Sequence, residues 1–280
     1  MGTPKRERQK ANRQQRLEEL ARQARAGKRK RTGMFLLLIP LAAIAITGVA
    51  VLTKGNGGST AATTTTVTLA PSTTITTTPL PSTIPGATLT GDTPCPAADG
   101  SSPRTITFAK APPTCIDPTK TYTAAITTNM GAYSVALDAT TSPITVNNFV
   151  VLARYHYFDS TICHRAIPGF MVQCGDPSGS GQGGPGYTIT DELPPDGSYK
   201  IGSLAMANSG SANTGGSQFF VVTGDQGVSL GATFSLLGQV TDGLDTTLKT
   251  LDAAGNPDQA ANGIPPLQQI IIQSVVITET

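Results

Sequence analysis

A run of 19 residues without a charged side chain, residues 34–52, most constrains how this chain can fold. At ~1.5 Å per helical residue, the run can cross the ~30 Å hydrocarbon core of a bilayer. Residues 1–33 carry 12 Lys and Arg but only three Glu, so the positive-inside rule places the N-terminus in the cytoplasm and the C-terminal body outside. We expect one retained transmembrane helix. A cleaved signal peptide is the alternative, although its apolar core is usually only ~7–15 residues long.

The segments on either side of this run are expected to remain outside any folded core. Residues 1–33 are interpreted as a basic cytoplasmic tail, attracted to anionic lipid rather than to nucleic acid, because no aromatic residues interleave the charges. Residues 53–93 are rich in Thr, Ser and Pro and cannot bury enough apolar surface to offset their ordering entropy. We predict a disordered linker there, followed by a Cys-containing extension over residues 94–121 with a short strand at 105–108.

All four cysteines, Cys95, Cys115, Cys163 and Cys174, follow the predicted membrane span. An even number in an oxidising compartment favours disulfides. There is no C-x-x-C pair and the chain has only two histidines, so we expect no zinc or other metal site. Our hypothesis pairs Cys95 with Cys115 and Cys163 with Cys174.

From residue 122 onward the pattern is mainly that of β-strands. Short apolar or alternating runs predict strands at 132–137, 203–207, 218–223 and 270–278. Two helices are expected among them. The first covers 143–155, with Ser142 as N-cap and Pro143 in the first turn. The second covers 243–253, capped by Asp242 and stopped by Gly255.

The stretch CHRAIPGFMVQCGD, residues 163–176, reads as two short strands joined by a loop at Pro168-Gly169. MANSG follows at 206–210 and GGSQFF at 215–220. With these three blocks the chain resembles the cyclophilins, peptidyl-prolyl cis-trans isomerases, over roughly residues 122–280. The resemblance implies a mainly β fold, a closed eight-stranded antiparallel barrel with a helix over each open end, here in a membrane-anchored bacterial form.

The resemblance also implies roles for individual residues. Arg165 is the expected catalytic residue, because a permanently charged, rigid donor can stabilise the nitrogen of a twisted prolyl amide. No proton is transferred, so His164 is expected to act as a hydrogen-bonding residue rather than an acid or base. Neither cofactor nor metal is expected. The expected substrate-binding residues are His164, Phe170, Met171, Gln173, Ala207, Asn208, Gln218, Phe220, Leu230 and Phe234. Taken singly, Phe170, Met171 and Phe220 would be interpreted as core residues, and only the neighbouring Arg165 and Gln173 favour a binding role. Asn208 and Gln218 could instead form hydrogen bonds that hold turns and backbone.

The glycine-rich run at 179–184 formally satisfies G-x-G-x-x-G. It neither follows a parallel strand nor opens a helix, so a phosphate-binding role is not expected. We interpret it as a loop, matching a glycine-rich loop of the cyclophilins.

We therefore predict a membrane-anchored isomerase that acts on Xaa-Pro bonds of unfolded extracytoplasmic proteins. Two alternatives stay open: a module that binds proline-containing peptides with little turnover, and a structural envelope protein. The chain contains no Trp, and Ser229 stands at about the place of a Trp that lines the drug-binding edge in many cyclophilins. Binding of cyclosporin is accordingly expected to be weak, and submicromolar inhibition would contradict this.

Overall fold

The computed structural model describes residues 85–280, which are mainly β-structure with three helices. In chain order the elements are β1 (Ala87–Leu89), β2 (Thr105–Phe108), β3 (Tyr122–Thr128), β4 (Gly131–Leu137), α1 (Pro143–Arg154), β5 (Ile162–Cys163), β6 (Arg165–Ile167), β7 (Met171–Cys174), β8 (Ser203–Met206), β9 (Phe219–Val222), α2 (Asp225–Val228), β10 (Leu236–Asp242), α3 (Thr247–Ala253) and β11 (Ile270–Glu279). None of these helices has the length and apolar character that a bilayer crossing requires. The predicted tail, transmembrane helix and most of the linker lie outside the described residues.

Nine strands form one sheet with the order β5-β11-β3-β4-β10-β8-β9-β7-β6, in which every pairing is antiparallel. The two ends of this order, β5 and β6, are separated along the chain by His164 alone, so the sheet curls into a nearly closed barrel. The predicted number of eight strands is wrong by one. One extended segment is interrupted at His164, so that its first half pairs with β11 and its second half with β7.

Alternating burial shows which face of each strand lines the barrel. Along β3 and β4 every second side chain is buried, as the period of a strand requires. β8 and β9 are instead buried on both faces. Phe219 and Val221 of β9 point into the main core, whereas Phe220 and Val222 belong to a separate outer cluster. The outer face of β7, β9 and β8 is therefore a second, partly covered apolar surface.

The two predicted helices are present, with corrections at their starts. α1 begins at Pro143, but Ser142 makes no side-chain capping bond. The carboxylate of Glu192 caps the helix instead, accepting bonds from the backbone N–H groups of Ile144 (3.0 Å) and Thr145 (2.8 Å). α3 begins at Thr247 rather than residue 243, because Asp242 still belongs to β10. The four-residue helix α2 was not predicted.

The predicted extension, residues 94–121, packs against the barrel together with residues 85–93, and we call residues 85–121 the N-terminal extension from here on. Its strand β2, predicted at 105–108, pairs in parallel with β1. Since β1 lies within residues 53–93, this end of the predicted linker is structured. Phe108 of β2 is 1% exposed and its ring meets Tyr155 and Tyr187 edge to face. Both hypothesised disulfides are confirmed, Cys95–Cys115 within the extension and Cys163–Cys174 across the β6–β7 hairpin.

Candidate functional site

Strand register brings the predicted site residues into one row on the outer face of the sheet. Arg165 of β6 lies opposite Gln173 of β7, Gln173 lies opposite Phe220 of β9, and Phe220 lies opposite Ala205 of β8. Met171 is two residues from Gln173 and therefore shares its face. A row across four strands thus passes from a cation through an amide to an aromatic ring.

This row borders a cavity of about 120 Å³. One end of the lining is polar and the other is apolar, with the rings of Phe220 and Phe234 meeting edge to face at 5.2 Å between centroids. The guanidinium carbon of Arg165 lies 6.0 Å from the centre of the Phe170 ring. Nine of the eleven predicted residues line this cavity: Arg165, Phe170, Met171, Gln173, Ala207, Asn208, Phe220, Leu230 and Phe234.

The guanidinium of Arg165 is held entirely by neutral acceptors. Its Nε donates to the backbone oxygen of Asn262 (3.0 Å) and its Nη2 donates to Oδ1 of the same residue (2.8 Å). Nη1 makes a longer contact of 3.4 Å with Oε1 of Gln173. Among residues 85–280 no acidic side chain forms an ion pair with Arg165. Partial burial lowers the pKa of Arg165, but a guanidinium stays protonated because its pKa starts so high.

Two predicted residues, His164 and Gln218, do not line the cavity. His164 is 3% exposed, and its Nδ1 has no hydrogen-bond partner in the described part of the chain. Burial lowers the pKa of His164, and Arg165 lowers it further, whereas Asp176 opposes the shift. Gln218 connects two parts of the site: its Oε1 accepts from Gln173 Nε2 at 2.9 Å, and its Nε2 donates to the Gly183 carbonyl at 2.9 Å.

The glycine-rich loop forms part of a second cavity of about 490 Å³ beside the first, and the two share Gln173, Ala207 and Asn208. The loop is organised by the fully buried carboxylate of Asp176, which accepts bonds from the backbone N–H groups of residues 178, 181 and 183. Burial alone would raise the pKa of Asp176, but these bonds and the Ser178 hydroxyl together outweigh it and lower the pKa.

Asn262 was not predicted from the sequence, although it accepts two of the three hydrogen bonds that the Arg165 guanidinium donates within residues 85–280. It lies 97 residues from Arg165 along the chain. The only local signal was the dipeptide Asn262-Gly263, which marks a turn but does not indicate its partner. Within residues 85–280 no group of three or more His, Cys, Asp or Glu side chains could hold a metal ion.

The sequence and fold of this chain are similar to those of known proteins. Residues 123–277 match the model of the family described as cyclophilin type peptidyl-prolyl cis-trans isomerase/CLD. "Probable peptidyl-prolyl cis-trans isomerase B" of Mycobacterium tuberculosis is 34% identical over 215 residues, covering 71% of this chain and 68% of that protein. "Peptidyl-prolyl cis-trans isomerase-like 2" of Cryptococcus neoformans is 40% identical over 162 residues, which are 56% of this chain and only 27% of that protein.

Among solved structures, a cyclophilin type isomerase of Cryptosporidium parvum superposes with a TM-score of 0.51 at 32% identity, covering 57% of this chain and 99% of that one. A second crystal structure, titled as the same isomerase in the presence of the dipeptide Ala-Pro, superposes with a TM-score of 0.50 at 34% identity. It covers 56% of this chain and 99% of that one. The similarity therefore extends over nearly the whole of each of those chains. The cavity residues lie within 123–277, the part of this chain that matches the family model.

Proposed function

This chain belongs to the cyclophilin-type peptidyl-prolyl cis-trans isomerases, and on that premise we propose that it catalyses rotation about Xaa-Pro bonds at the Arg165 cavity. The uncatalysed rotation takes tens to hundreds of seconds because partial double-bond character raises a barrier of ~18–20 kcal/mol. Millisecond turnover requires a barrier about 5–7 kcal/mol lower. No covalent bond is made or broken, so the catalyst needs only to bind the twisted amide better than the planar one.

The observation that carries this proposal is the set of hydrogen-bond donors left on Arg165. A guanidinium has five N–H donors. Asn262 accepts two and Gln173 accepts one, which leaves one on Nη1 and one on Nη2 for a substrate. As the amide twists and resonance is lost, the proline nitrogen recovers a lone pair. A preoriented cationic donor stabilises that lone pair more than it stabilises the planar amide.

The apolar part of the cavity suits the proline ring. Met171 is 2% exposed and Phe220 is 4% exposed, so both present fixed surfaces rather than mobile side chains. Leu230 and Phe234 complete this apolar lining. The cavity would hold the proline ring while Arg165 contacts the proline nitrogen. The carbonyl group of the preceding residue is then the part of the amide that must rotate. The cavity thus supplies positioning and the cation supplies differential binding.

Replacement of Arg165 by Ala tests the proposal. We expect kcat/KM in a coupled proline-peptide assay of the purified chain to fall at least about 100-fold, equivalent to ~2.7 kcal/mol, with an unchanged thermal transition. Arg165→Lys is the matched control, since it keeps the charge but lacks the planar fork, and it should recover only part of the rate. Full activity in Arg165→Ala would refute the mechanism, and tight peptide binding without turnover by the wild type would favour a binding module.

We also propose that the enzyme assists folding of exported proteins outside the cytoplasm, attached by residues 34–52. Two observations support this: the uncharged length of that run and the pairing of all four cysteines, which fits an oxidising compartment. Fractionation of intact cells followed by external protease should find the chain in the membrane, with the isomerase domain accessible. A protease-protected domain in intact cells would contradict the orientation.

A further inference from the structure

Asn262 offers two oxygen atoms to a single edge of the Arg165 guanidinium. Its backbone oxygen accepts from Nε and its Oδ1 accepts from Nη2, which is the two-point geometry that arginine usually finds in a carboxylate. Here both acceptors are neutral. The edge of the guanidinium is thereby fixed in direction, while the positive charge is not neutralised by an anion.

The backbone conformation of Asn262 explains why asparagine suits this position. Its φ of 52° lies in the left-handed region, where Asn and Asp are several-fold enriched among residues other than glycine. Asparagine thus tolerates the turn and also supplies the side-chain oxygen. Glycine would tolerate the turn but lacks that oxygen.

The loop that carries Asn262 is tied to the strand that carries Arg165. Ala166, the next residue after Arg165, donates its N–H to the Gly263 carbonyl (3.0 Å) and accepts from the Asn256 N–H (2.9 Å). β6 is the last strand in the sheet order, and these bonds occupy its outer edge. A Cβ atom on Gly263 would lie 2.7 Å from the Ala166 oxygen, so only glycine permits this close approach.

We propose that Asn262 is a positioning residue for catalysis: it fixes the direction of the Arg165 guanidinium, so that the free donors on Nη1 and Nη2 face the proline nitrogen. The inference rests on the proposed role of Arg165. Asn262 itself contacts neither cavity, so its effect must pass through the arginine. Loss of the side-chain oxygen should therefore lower kcat and leave KM nearly unchanged.

Steady-state kinetics of three variants of the purified chain test this inference. Asn262→Gly keeps the backbone acceptor and favours the positive φ, and we expect its kcat to be about tenfold lower with KM changed less than twofold. Asn262→Asp keeps both acceptor positions but sets an anion against the guanidinium, so its kcat should lie between those of Asn262→Gly and the wild type. Asn213→Gly is the control, because Asn213 has a similar φ of 59° and does not contact Arg165; its kcat should equal that of the wild type.

The inference is overturned if Asn262→Gly keeps kcat within twofold or if its loss appears only in KM. A loss shared by Asn213→Gly would also overturn it, as a general effect of glycine in such turns. Should Asn262→Gly fail to fold, Asn262→Ala takes its place under the same criteria, since alanine also lacks the side-chain oxygen. An active Arg165→Ala variant refutes the proposed mechanism instead, whatever the Asn262 variants show.

Discussion

The β6–β7 hairpin and the N-terminal extension are each closed by a disulfide, yet they are attached to the barrel in different ways. In the hairpin, Cys163 and Cys174 are 3% and 2% exposed and the strands continue the main sheet. In the extension, Cys95 is exposed, and polar links such as that between the Tyr155 hydroxyl and the Pro94 carbonyl (2.9 Å) accompany the apolar packing of Phe108. A disulfide therefore closes the hairpin that carries Arg165 in one place and a peripheral segment in the other. We expect the local stability of the two regions to differ accordingly.

The largest contrast is expected when each disulfide is removed. The Cys163→Ala/Cys174→Ala variant should lose about 3 kcal/mol of unfolding free energy and most of its kcat, because Arg165 and Gln173 lie between the two cysteines. Cys95→Ala/Cys115→Ala is the matched control. Its cysteines are 20 residues apart rather than 11, so loop entropy alone predicts a loss at least as large.

We nevertheless expect the hairpin variant to lose more unfolding free energy than the extension variant, because the extension can loosen without unfolding the barrel. Guanidinium denaturation and the isomerase assay measure the two effects. Equal losses of stability, or an undiminished kcat in the hairpin variant, would remove the distinction between the two regions.

A smaller effect is expected from Asn147, which holds the extension to α1. Its Oδ1 accepts from the backbone N–H groups of Cys115 (2.7 Å) and Ile116 (3.2 Å), and its Nδ2 donates to the Pro113 carbonyl (2.9 Å). Asn147→Ala leaves these groups unpaired and should cost about 1–3 kcal/mol, with unchanged kcat. Thermal denaturation and amide exchange at Ile116 measure this. Asn147→Asp keeps the acceptor and should lose less; a fall in kcat would show that the extension influences the site.

The smallest effect should be a pH dependence of the extension. Nε2 of His156 lies 2.8 Å from the Gly100 carbonyl and Nδ1 lies 2.9 Å from Oδ2 of Asp159. Both neighbours are acceptors, so only the protonated ring satisfies both. The bond to Gly100, followed by Asp159, raises the pKa of His156 against the opposing effects of partial burial and Arg104.

A raised histidine pKa stabilises the folded form fully below the unfolded pKa of ~6.5, and this contribution is lost as the pH rises through the folded pKa. Protection factors of amides near Gly100 should therefore be larger at about pH 5.5 than at about pH 8. His156→Gln should abolish the difference, and the barrel amides serve as the internal control. An unchanged difference in His156→Gln would assign the effect to another group.

Local patterns predicted the parts of the fold that depend on local interactions. Pro143 located the start of α1, and alternating apolar residues located β4, β8, β9 and β11 within one or two residues. The predicted start of α3 was wrong because residues 243–246 form a turn, with Gly243 at a φ of +84°. Helix capping by Asp242 is a local expectation, but pairing of β10 with β4 extends that strand through residue 242.

Partners distant in the sequence could not be predicted in this way. Glu192 caps α1 from 47 and 48 residues away, and Asn262 reaches Arg165 from 97 residues away. Both contacts depend on how whole strands, helices and loops pack together. The periodicity of apolar residues in the sequence carries no information about that packing. The nine cavity residues were found through the family resemblance, whereas the row that unites Arg165, Gln173 and Phe220 follows from strand register and became visible only in the structure.

The interruption at His164 has a consequence for any extended polypeptide that approaches the barrel. Open sheet edges are templates on which other extended polypeptides can add strands and aggregate. Within residues 122–280 only His164 separates β5 from β6, which are the two ends of the sheet order. The outer edge of β6 is already hydrogen-bonded to residues 256 and 263. An extended polypeptide consequently finds few unpaired backbone groups on the barrel, so strand addition to the barrel is disfavoured.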